Sequence, residues 1–279
     1  MKYLLGILVL DRPRAFEQCI THLLQMDRRN DVTMILVDNG SNDETKEMIE
    51  RYEKEFDLII HHEWNTGWCF GANSWMSLRD AGQTAIQVDQ DMIMHSTDWL
   101  PLFERVMADE DIGALAARRP SAWIDRPDKQ AGYKELAFEQ RHGLWLEMSP
   151  HNFLNAPILM YKGELLDHIG FENEATGYGD MDTPYRVSAF GYKSAYIPDV
   201  FLYQLQNDWE GREHPQKGAH KALLQKNIAL HRRYVTDYMQ GKKLYCGTRF
   251  LPLTMLDKEY EQQSNETWEF HKNWRPYGI

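Results

Sequence analysis

The chain has 279 residues, of which 43% are hydrophobic and 26% are charged, as is typical of a folded globular protein. Its formal net charge of −11 argues against a protein that binds nucleic acid over its whole surface. No apolar run approaches the roughly 20 residues that a membrane-spanning helix needs, and the three cysteines lack the spacing of a zinc site or a disulfide framework. We therefore expect a cytoplasmic protein with one α/β domain and a tail; peripheral association with a membrane stays open.

Short apolar runs alternate with amphipathic stretches through the first half of the chain. The apolar runs, which predict five strands, are YLLGILVL, VTMILVD, LIIHH, TAIQVDQD and IGALAAR. With helices between the strands, this alternation is typical of a mostly parallel sheet covered on both faces. Ligands of such sheets bind beyond the carboxyl ends of the strands, where Asp11, Asp38 and Asp89 occur. These carboxylates are therefore candidates for a binding site.

The alternation stops after Arg118. Residues 118–143 contain prolines, glycines and mixed charges with no clear period, which predicts a long loop. Loops of this length inside a compact domain are usually functional or disordered, so we expect either a lid over the site or a disordered segment.

Two carboxylates lie one residue apart where the fourth predicted strand ends, in Asp89-Gln90-Asp91. Mg²⁺ and Mn²⁺ prefer oxygen ligands, and a diphosphate needs its charge neutralised both for binding and for departure as a leaving group. The chain has neither the G-x-G-x-x-G of a dinucleotide site nor a Walker A loop. The pair therefore predicts a nucleotide held by carboxylates and a metal, with solvated acidic residues at a strand end as the alternative.

Four stretches, in this order, resemble the GT-A glycosyltransferases of the large inverting family 2: ILVDNGSNDET, NTGWCFGANSWM, VDQD and GYGDMDTPYRVSAFGYK. The resemblance implies a Rossmann-like, mostly parallel central sheet flanked by helices. It also implies transfer of a sugar from a nucleoside-diphosphate sugar to an acceptor hydroxyl, with Mn²⁺ or Mg²⁺ as cofactor. The catalytic domain is expected at residues 1–210, with a donor half at about 1–117 and an acceptor half at about 118–210. A helical or irregular extension at 211–279 follows.

The resemblance adds site residues to those expected from strand position. The residues expected to bind the nucleotide sugar are Asp11, Asp38, Asn65, Gly67, Asn73 and Asp89. Asp91 is expected to bind the metal. Asp180 matches the general base, which an inverting transfer needs opposite the leaving group because the hydroxyl attacks the anomeric carbon directly. Asp182 and Arg186 match residues that shape the acceptor site; an ion pair between them at i,i+4 is the alternative.

The chain departs from the family pattern at two places. Gly179 replaces the acid that usually precedes the base, which leaves the acceptor pocket more open. Where many relatives have a histidine that completes the metal site, this chain has Gln204, whose carbonyl oxygen is a possible ligand. His214 and His220 are the other candidates for that ligand.

The extension contains a basic segment at 212–249, with nine lysines and arginines against two acidic residues. This segment predicts an anionic acceptor, such as a lipid-linked saccharide or a nucleic acid, with a solvated helical face as the alternative. A free saccharide, a protein and a modified base also stay open as acceptors. The aromatic end, NETWEFHKNWRPYGI, is expected to pack against the domain.

Two other classes of function compete with the transferase. A nucleotidyltransferase on a related sheet would need a glycine-rich loop with arginine and lysine after the first strand, and LDRPRAF lacks it. The other class is a catalytically silent nucleotide-sugar-binding protein, against which the presence of Asp91 and Asp180 argues.

Overall fold

A nine-stranded mixed sheet is the centre of the computed structural model, which describes residues 2–27, 32–117, 137–149, 154, 156–170, 172–175, 179–205 and 258–272. Its strands, together with those of a small two-stranded sheet, are β1 (Tyr3–Val9), β2 (Val32–Asp38), β3 (Leu58–His61), β4 (Thr84–Asp89), β5 (Met92–Met94), β6 (Ile112–Ala117), β7 (Ala137–Arg141), β8 (Leu144–Met148), β9 (Ile158–Tyr161), β10 (Lys193–Ile197) and β11 (Leu202–Gln204). The helices are α1 (Pro13–Leu23), α2 (Asp43–Arg51), α3 (Trp68–Met76), α4 (Trp99–Met107), α5 (Gly163–Ile169), α6 (Gly179–Ala189) and α7 (Lys258–Lys272), with a 3₁₀ turn at Glu53–Glu55.

The strand order in the large sheet is β3-β2-β1-β4-β9-β6-β10-β8-β7. The first four strands in this order are parallel to one another, and β10 is parallel to β6. β9 is antiparallel to its two neighbours, β4 and β6. β5 and β11 form the separate antiparallel pair. The predicted α/β fold with a mostly parallel centre is confirmed, and all five strands predicted for the first half are present as β1 to β4 and β6.

The loop predicted for residues 118–143 is wrong at its carboxyl end. Residues 137–141 form β7, which pairs antiparallel with β8 at the edge of the sheet. The alternation of apolar residues is weak there because β7 is half-exposed and carries charged side chains, as edge strands often do. Residues 118–136, where we expected a lid or disorder, lie outside the described residues.

Helices cover both faces of the sheet, so successive residues of β1 enter two different cores. Leu5 and Ile7 pack with α1 and α4 in one core, and Leu4 packs with α3 and α5 in the other. Gly6 faces the second core beneath the Trp75 ring, where an added Cβ would lie 2.1 Å from the ring carbon Cδ2. The absence of a side chain at this position therefore lets Trp75 lie directly on the strand.

The parallel register brings the carboxyl ends of three strands to one edge. Val9 of β1 is opposite Asp38 of β2, and Leu8 is opposite Asp89 of β4. The three strand ends that the sequence singled out are therefore neighbours, with β1 in the middle.

Candidate active site

Two buried carboxylates fix the turn after β2, and one of them, Asp11, joins it to the end of β1. Asp38 is completely buried, and its Oδ1 accepts a hydrogen bond of 2.9 Å from the backbone N–H of Ser41. Its Oδ2 lies 3.2 Å from Nδ1 of His61, whose side chain is largely exposed. Asp11 accepts a bond of 2.8 Å from the backbone N–H of Asn42, and its own N–H donates to the Ser41 hydroxyl at 3.1 Å. These contacts fix the turn as part of one rim with β1.

Gln90, between the two acids of the D-x-D pair, holds the end of β4 to β1. Its Oε1 accepts from the backbone N–H of Leu10 at 2.9 Å, and its Nε2 donates to the Leu10 carbonyl at 3.0 Å. The side chain thus continues the pairing of the two strands after their backbones separate. A D-x-D pattern leaves the middle residue open, so the sequence carried no signal for this role.

Asp91 is held by two side chains distant from it in sequence. Nη1 of Arg12 donates to Oδ2 at 2.8 Å, and Nε2 of Gln204 donates to Oδ1 at 3.2 Å. The backbone of Asp91 accepts from the N–H of Leu205 at 2.8 Å, so the end of β11 is joined to the D-x-D segment. The structure therefore brings together Asp91 and Gln204, both predicted as metal ligands. His214 and His220 lie outside the described residues.

Sequence reasoning missed Arg12. Its side chain is 6% exposed, and both Asp11 and Arg12 have left-handed backbones, with φ of 50° and 59°. Such angles are uncommon for residues other than glycine, asparagine and aspartate, and they cluster at functional sites. The only signal in the sequence is an arginine placed just before the proline that begins α1.

Asp91 and Gln204 suit a hard divalent cation. The amide of Gln204 can turn by 180° with little change of shape, which would place its carbonyl oxygen against Asp91. The 3.2 Å between Oδ1 of Asp91 and this amide is close to the roughly 3.0 Å between adjacent oxygens of a six-coordinate cation with ~2.1 Å bonds. Among the described residues, no group of three or more His, Cys, Asp or Glu side chains has the arrangement of a metal site. A cation here would therefore need further oxygens from water or a diphosphate, as Mg²⁺ commonly does.

Cys19 of α1 lies directly beneath the D-x-D segment. Its Sγ is 3.3 Å from the carbonyl oxygen of Asp89, to which the thiol donates. Burial raises the pKa of Cys19 to about 12, and the negative charges of Asp91 and Asp89 add to the rise. The side chain is thus a neutral thiol at neutral pH and supports the strand end by packing.

A second network orders the loop before α3, where two predicted nucleotide-sugar residues lie. Oδ1 of Asn65 accepts from the N–H of Gly67 at 2.9 Å and from Nδ2 of Asn39 at 3.2 Å. Oδ1 of Asn39 accepts from the N–H and the hydroxyl of Thr66, at 3.0 and 2.6 Å. Gly67 has φ of 84°, which glycine adopts without strain. Asn39, which sequence reasoning did not single out, thus joins the end of β2 to this loop.

Asn73, also predicted to bind the nucleotide sugar, contacts the segment 172–175. Its Nδ2 donates to the Glu172 carbonyl and to Oε1 of Glu174, both at 2.9 Å, and its Oδ1 accepts from the N–H of Glu172 at 2.8 Å. The amide therefore joins α3 to the segment 172–175. A contact with the donor stays a prediction.

The same segment supports α6, the helix of the predicted general base. Oε2 of Glu172 accepts from the Thr183 hydroxyl at 2.9 Å, and Thr183 accepts from Nη2 of Arg186 at 3.1 Å. Arg186 is completely buried and donates through Nη1 to the Ile169 carbonyl at 2.6 Å. It therefore holds α6 to the end of α5.

Gly179 and Asp180 are the first two residues of α6, and Asp182 is the fourth. Their side chains lie outside the described part of the chain, as does any Asp182–Arg186 ion pair. The catalytic role of Asp180 stays a prediction.

The carboxyl-terminal helix, α7, packs over the loop before α3. The Trp268 ring meets Phe70 edge-on at 4.8 Å between centroids and Trp64 at 6.1 Å. The imidazole of His271 lies against Gly67, where an added Cβ would be 2.4 Å from its Cδ2. The hydroxyl of Thr267 lies 3.3 Å from the Ala175 carbonyl. The part of the aromatic end that the structure describes, residues 265–272, thus packs on the domain, as expected, whereas residues 273–279 and the basic segment 212–249 lie outside the described residues.

Within the described residues, no helix combines the length and the apolar composition needed to cross a membrane.

The sequence model described as Glycosyl transferase family 2 matches residues 6–162, whereas no curated protein matches the chain. Mannosyltransferase PcManGT from Pyrobaculum calidifontis, solved with GDP-Man and Mn²⁺, is 16% identical with a TM-score of 0.59, over 95% of this chain and 73% of that one. TarS 1-349 from S. aureus, solved with UDP-GlcNAc, is 15% identical with a TM-score of 0.58, over 96% of this chain and 79% of that one. The structural likeness shows the GT-A fold, and because the family model spans more than half of the chain, the chain belongs to glycosyl transferase family 2 and is a glycosyltransferase.

Proposed function

We propose that this glycosyltransferase moves a sugar from a nucleoside-diphosphate sugar to an acceptor hydroxyl, with inversion at the anomeric carbon and with Mn²⁺ or Mg²⁺. The observation that carries the proposal is the meeting of Asp91 with Gln204 at the sheet edge where Asp11, Asp38 and Asp89 also lie. In open α/β sheets this edge binds ligands. The nucleotide sugars bound by PcManGT and TarS support the same class of donor.

The donor is expected to bind along the rim formed by β1, β2 and the loop before α3. We assign the base and ribose to the turn after β2, whose backbone the buried Asp38 and Asp11 fix, and Asn65 and Gly67 hold the loop that borders it. We assign Asp89, the first acid of the D-x-D pair, to the ribose. A divalent cation held by Asp91 and Gln204 would neutralise the diphosphate as it leaves.

The acceptor side is assigned to α6. Asp180 takes the proton from the attacking hydroxyl, on the face opposite the leaving diphosphate. Gly179 beside it leaves room for the acceptor. Arg186 does not contact the acceptor in this proposal and instead holds α6 on the end of α5. The basic segment 212–249 favours an anionic acceptor, such as a lipid-linked saccharide, over a neutral one. We place this reaction in the cytoplasm.

The test is to incubate the protein and Mn²⁺ with a panel of nucleotide sugars that includes GDP-Man and UDP-GlcNAc, without acceptor. Mass spectrometry should detect slow hydrolysis of one donor, and EDTA should stop it. Asp91→Asn should also stop it, whereas Asp98→Asn, a matched change of an exposed aspartate, should not. Binding of a donor without hydrolysis or transfer to any acceptor would instead support a silent binding protein. Hydrolysis that persists in EDTA would remove the metal from the proposal.

A further inference from the structure

Arg12 makes a buried contact with the carboxylate to which we assign the metal. Its guanidinium donates to Oδ2 of Asp91 at 2.8 Å and to the Leu205 carbonyl at 2.7 Å. The side chains of Arg12 and Asp91 are 6% and 12% exposed. An ion pair shielded in this way is stronger than one on the surface, because water and salt screen it less.

The chemistry of the two side chains that hold Asp91 differs. Gln204 can exchange its N–H for its carbonyl oxygen by rotation and so become a ligand beside Oδ1. Arginine has no acceptor atom and keeps its charge at any pH that the protein tolerates. A cation that approaches Asp91 therefore gains an oxygen from Gln204 but meets a fixed positive charge at Arg12.

We propose that Arg12 is a resident counter-ion of Asp91, so that the divalent cation binds weakly by itself and enters together with the anionic diphosphate. The diphosphate would supply the negative charge that two neighbouring cations require. This inference rests on the proposed function, in which Asp91 is a metal ligand. The inference adds Arg12, which the D-x-D pattern does not contain, to the proposed metal site. It also states that the metal and the diphosphate bind together.

Joint binding has a measurable consequence. By linkage, a nucleotide that raises the affinity for the metal has its own affinity raised by the metal by the same factor. Removal of the guanidinium should tighten the binding of Mn²⁺ alone, because one repelling charge is gone. It should also weaken the cooperativity between metal and nucleotide binding, because less positive charge is left at the site for the diphosphate to offset.

The experiment is a titration of the full chain with Mn²⁺ alone, in which electron paramagnetic resonance reports the free ion. Arg12→Gln should bind Mn²⁺ at least about tenfold more tightly than the wild type, since one unit charge near a divalent ion has roughly this effect even at the dielectric constant of bulk water. Arg14→Gln, which removes an exposed arginine from the first turn of α1, should change the affinity less than about twofold. Arg12→Lys keeps the charge and should stay near the wild type.

The titration is then repeated with UDP and with GDP present. Each nucleotide that binds should tighten Mn²⁺ binding more in the wild type than in Arg12→Gln. If Arg12→Gln does not fold, Arg12→Gly replaces it, because glycine suits the φ of 59° at this position.

Three outcomes are informative. Tighter Mn²⁺ binding by Arg12→Gln, lost again in Arg12→Gln/Asp91→Asn, supports the inference. Equal affinity in the wild type and Arg12→Gln, with a loss in Asp91→Asn, overturns the role of Arg12 but leaves the metal at Asp91. Binding that is the same in Asp91→Asn as in all other variants overturns the inference and the metal part of the proposed function together.

Discussion

At the scale of single residues, Gln90 fixes the position of both acids beside it. Two hydrogen bonds to the Leu10 backbone keep the D-x-D segment against β1. Gln90→Ala should lower the free energy of unfolding by about 1–3 kcal/mol, since two partly buried backbone groups lose their partner. It should also weaken nucleotide binding, measured by calorimetry. The control is Gln140→Ala, an exposed glutamine on β7 that should change neither quantity.

The general base gives the second prediction at this scale. Asp180→Asn keeps the shape of the side chain but cannot take a proton, so the transfer rate should fall by roughly 10² to 10⁴ while donor affinity stays nearly constant. Rates come from transfer assays at saturating donor, and affinity comes from calorimetry. If transfer stays within a few-fold of the wild type, another residue is the base, and Asp182 is the next candidate.

How far single site residues could be predicted depends on the range of their contacts. Asp91 was identified from the acidic pair at the end of the fourth predicted strand and Gln204 through the resemblance, and the structure places them in contact although 113 positions separate them. Arg12 could not be identified, because its place is set by a left-handed backbone and a partner 79 positions away. Neither feature leaves a periodic pattern in the sequence.

At the scale of elements, β1 and α3 are joined through Gly6 and Trp75. Gly6→Ala should destabilise the protein by about 1–3 kcal/mol, because the new methyl group would overlap the indole ring. Urea unfolding measures the loss. Trp75→Leu alone should also destabilise, but in the double variant the two losses should be less than additive, because the smaller side chain leaves room for the methyl group. Fully additive losses would show that the two positions are not in contact.

The edge hairpin of β7 and β8 is joined to the turn before β6 by ion pairs. Arg141 of β7 contacts Asp109, Asp111 and Glu139, and Lys193 also contacts Asp111. The hydrogen bond from Arg141 holds the pKa of Asp111 well below its usual value, although partial burial opposes the shift. Because Asp111 is partly exposed, its contribution to stability is modest and is screened by salt.

This shift predicts how stability depends on pH. The folded pKa of Asp111 lies below the unfolded value of about 3.9, so the unfolded chain takes up the proton first as the pH falls. Asp111→Asn should therefore be less stable than the wild type at pH 7, and the difference should shrink progressively below about pH 4. Urea midpoints at pH 7, 5 and 3 measure it. Glu53→Gln, an exposed change outside this cluster, should show no such trend.

Four strands of the first half, β1, β2, β4 and β6, could be predicted because each is a buried apolar run. β3 is partly exposed and could be predicted only from its short run of apolar residues. β7 was missed because an edge strand with Glu139 and Arg141 has no such run. The place of β9 between β4 and β6 could not be predicted, since the pairing of distant strands is decided by tertiary packing.

At the scale of the whole molecule, α7 connects the carboxyl-terminal part of the chain to the donor side. Trp268→Ala should lower the free energy of unfolding by about 1–3 kcal/mol, less than for a completely buried tryptophan because Trp268 is half-buried. Nucleotide affinity should fall a few-fold, because α7 supports the loop of Asn65 and Gly67. Glu269→Ala, an exposed neighbour on the same helix, is the control for both measurements. Normal affinity in Trp268→Ala would limit α7 to a role in stability.

The strand order also determines when β6 can pair while the chain is being synthesised on the ribosome. β6 pairs only with strands that are made after it among those described, β9 on one side and β10 on the other. At a synthesis rate of about 5–20 residues per second, Ile112–Ala117 waits for several seconds before residues 158–161 emerge. Throughout that wait the nascent chain presents an apolar strand with open edges, which is the kind of surface that associates with other chains. The interval between the synthesis of these two strands is therefore a stage at which a chaperone bound to β6 would protect the nascent chain from association.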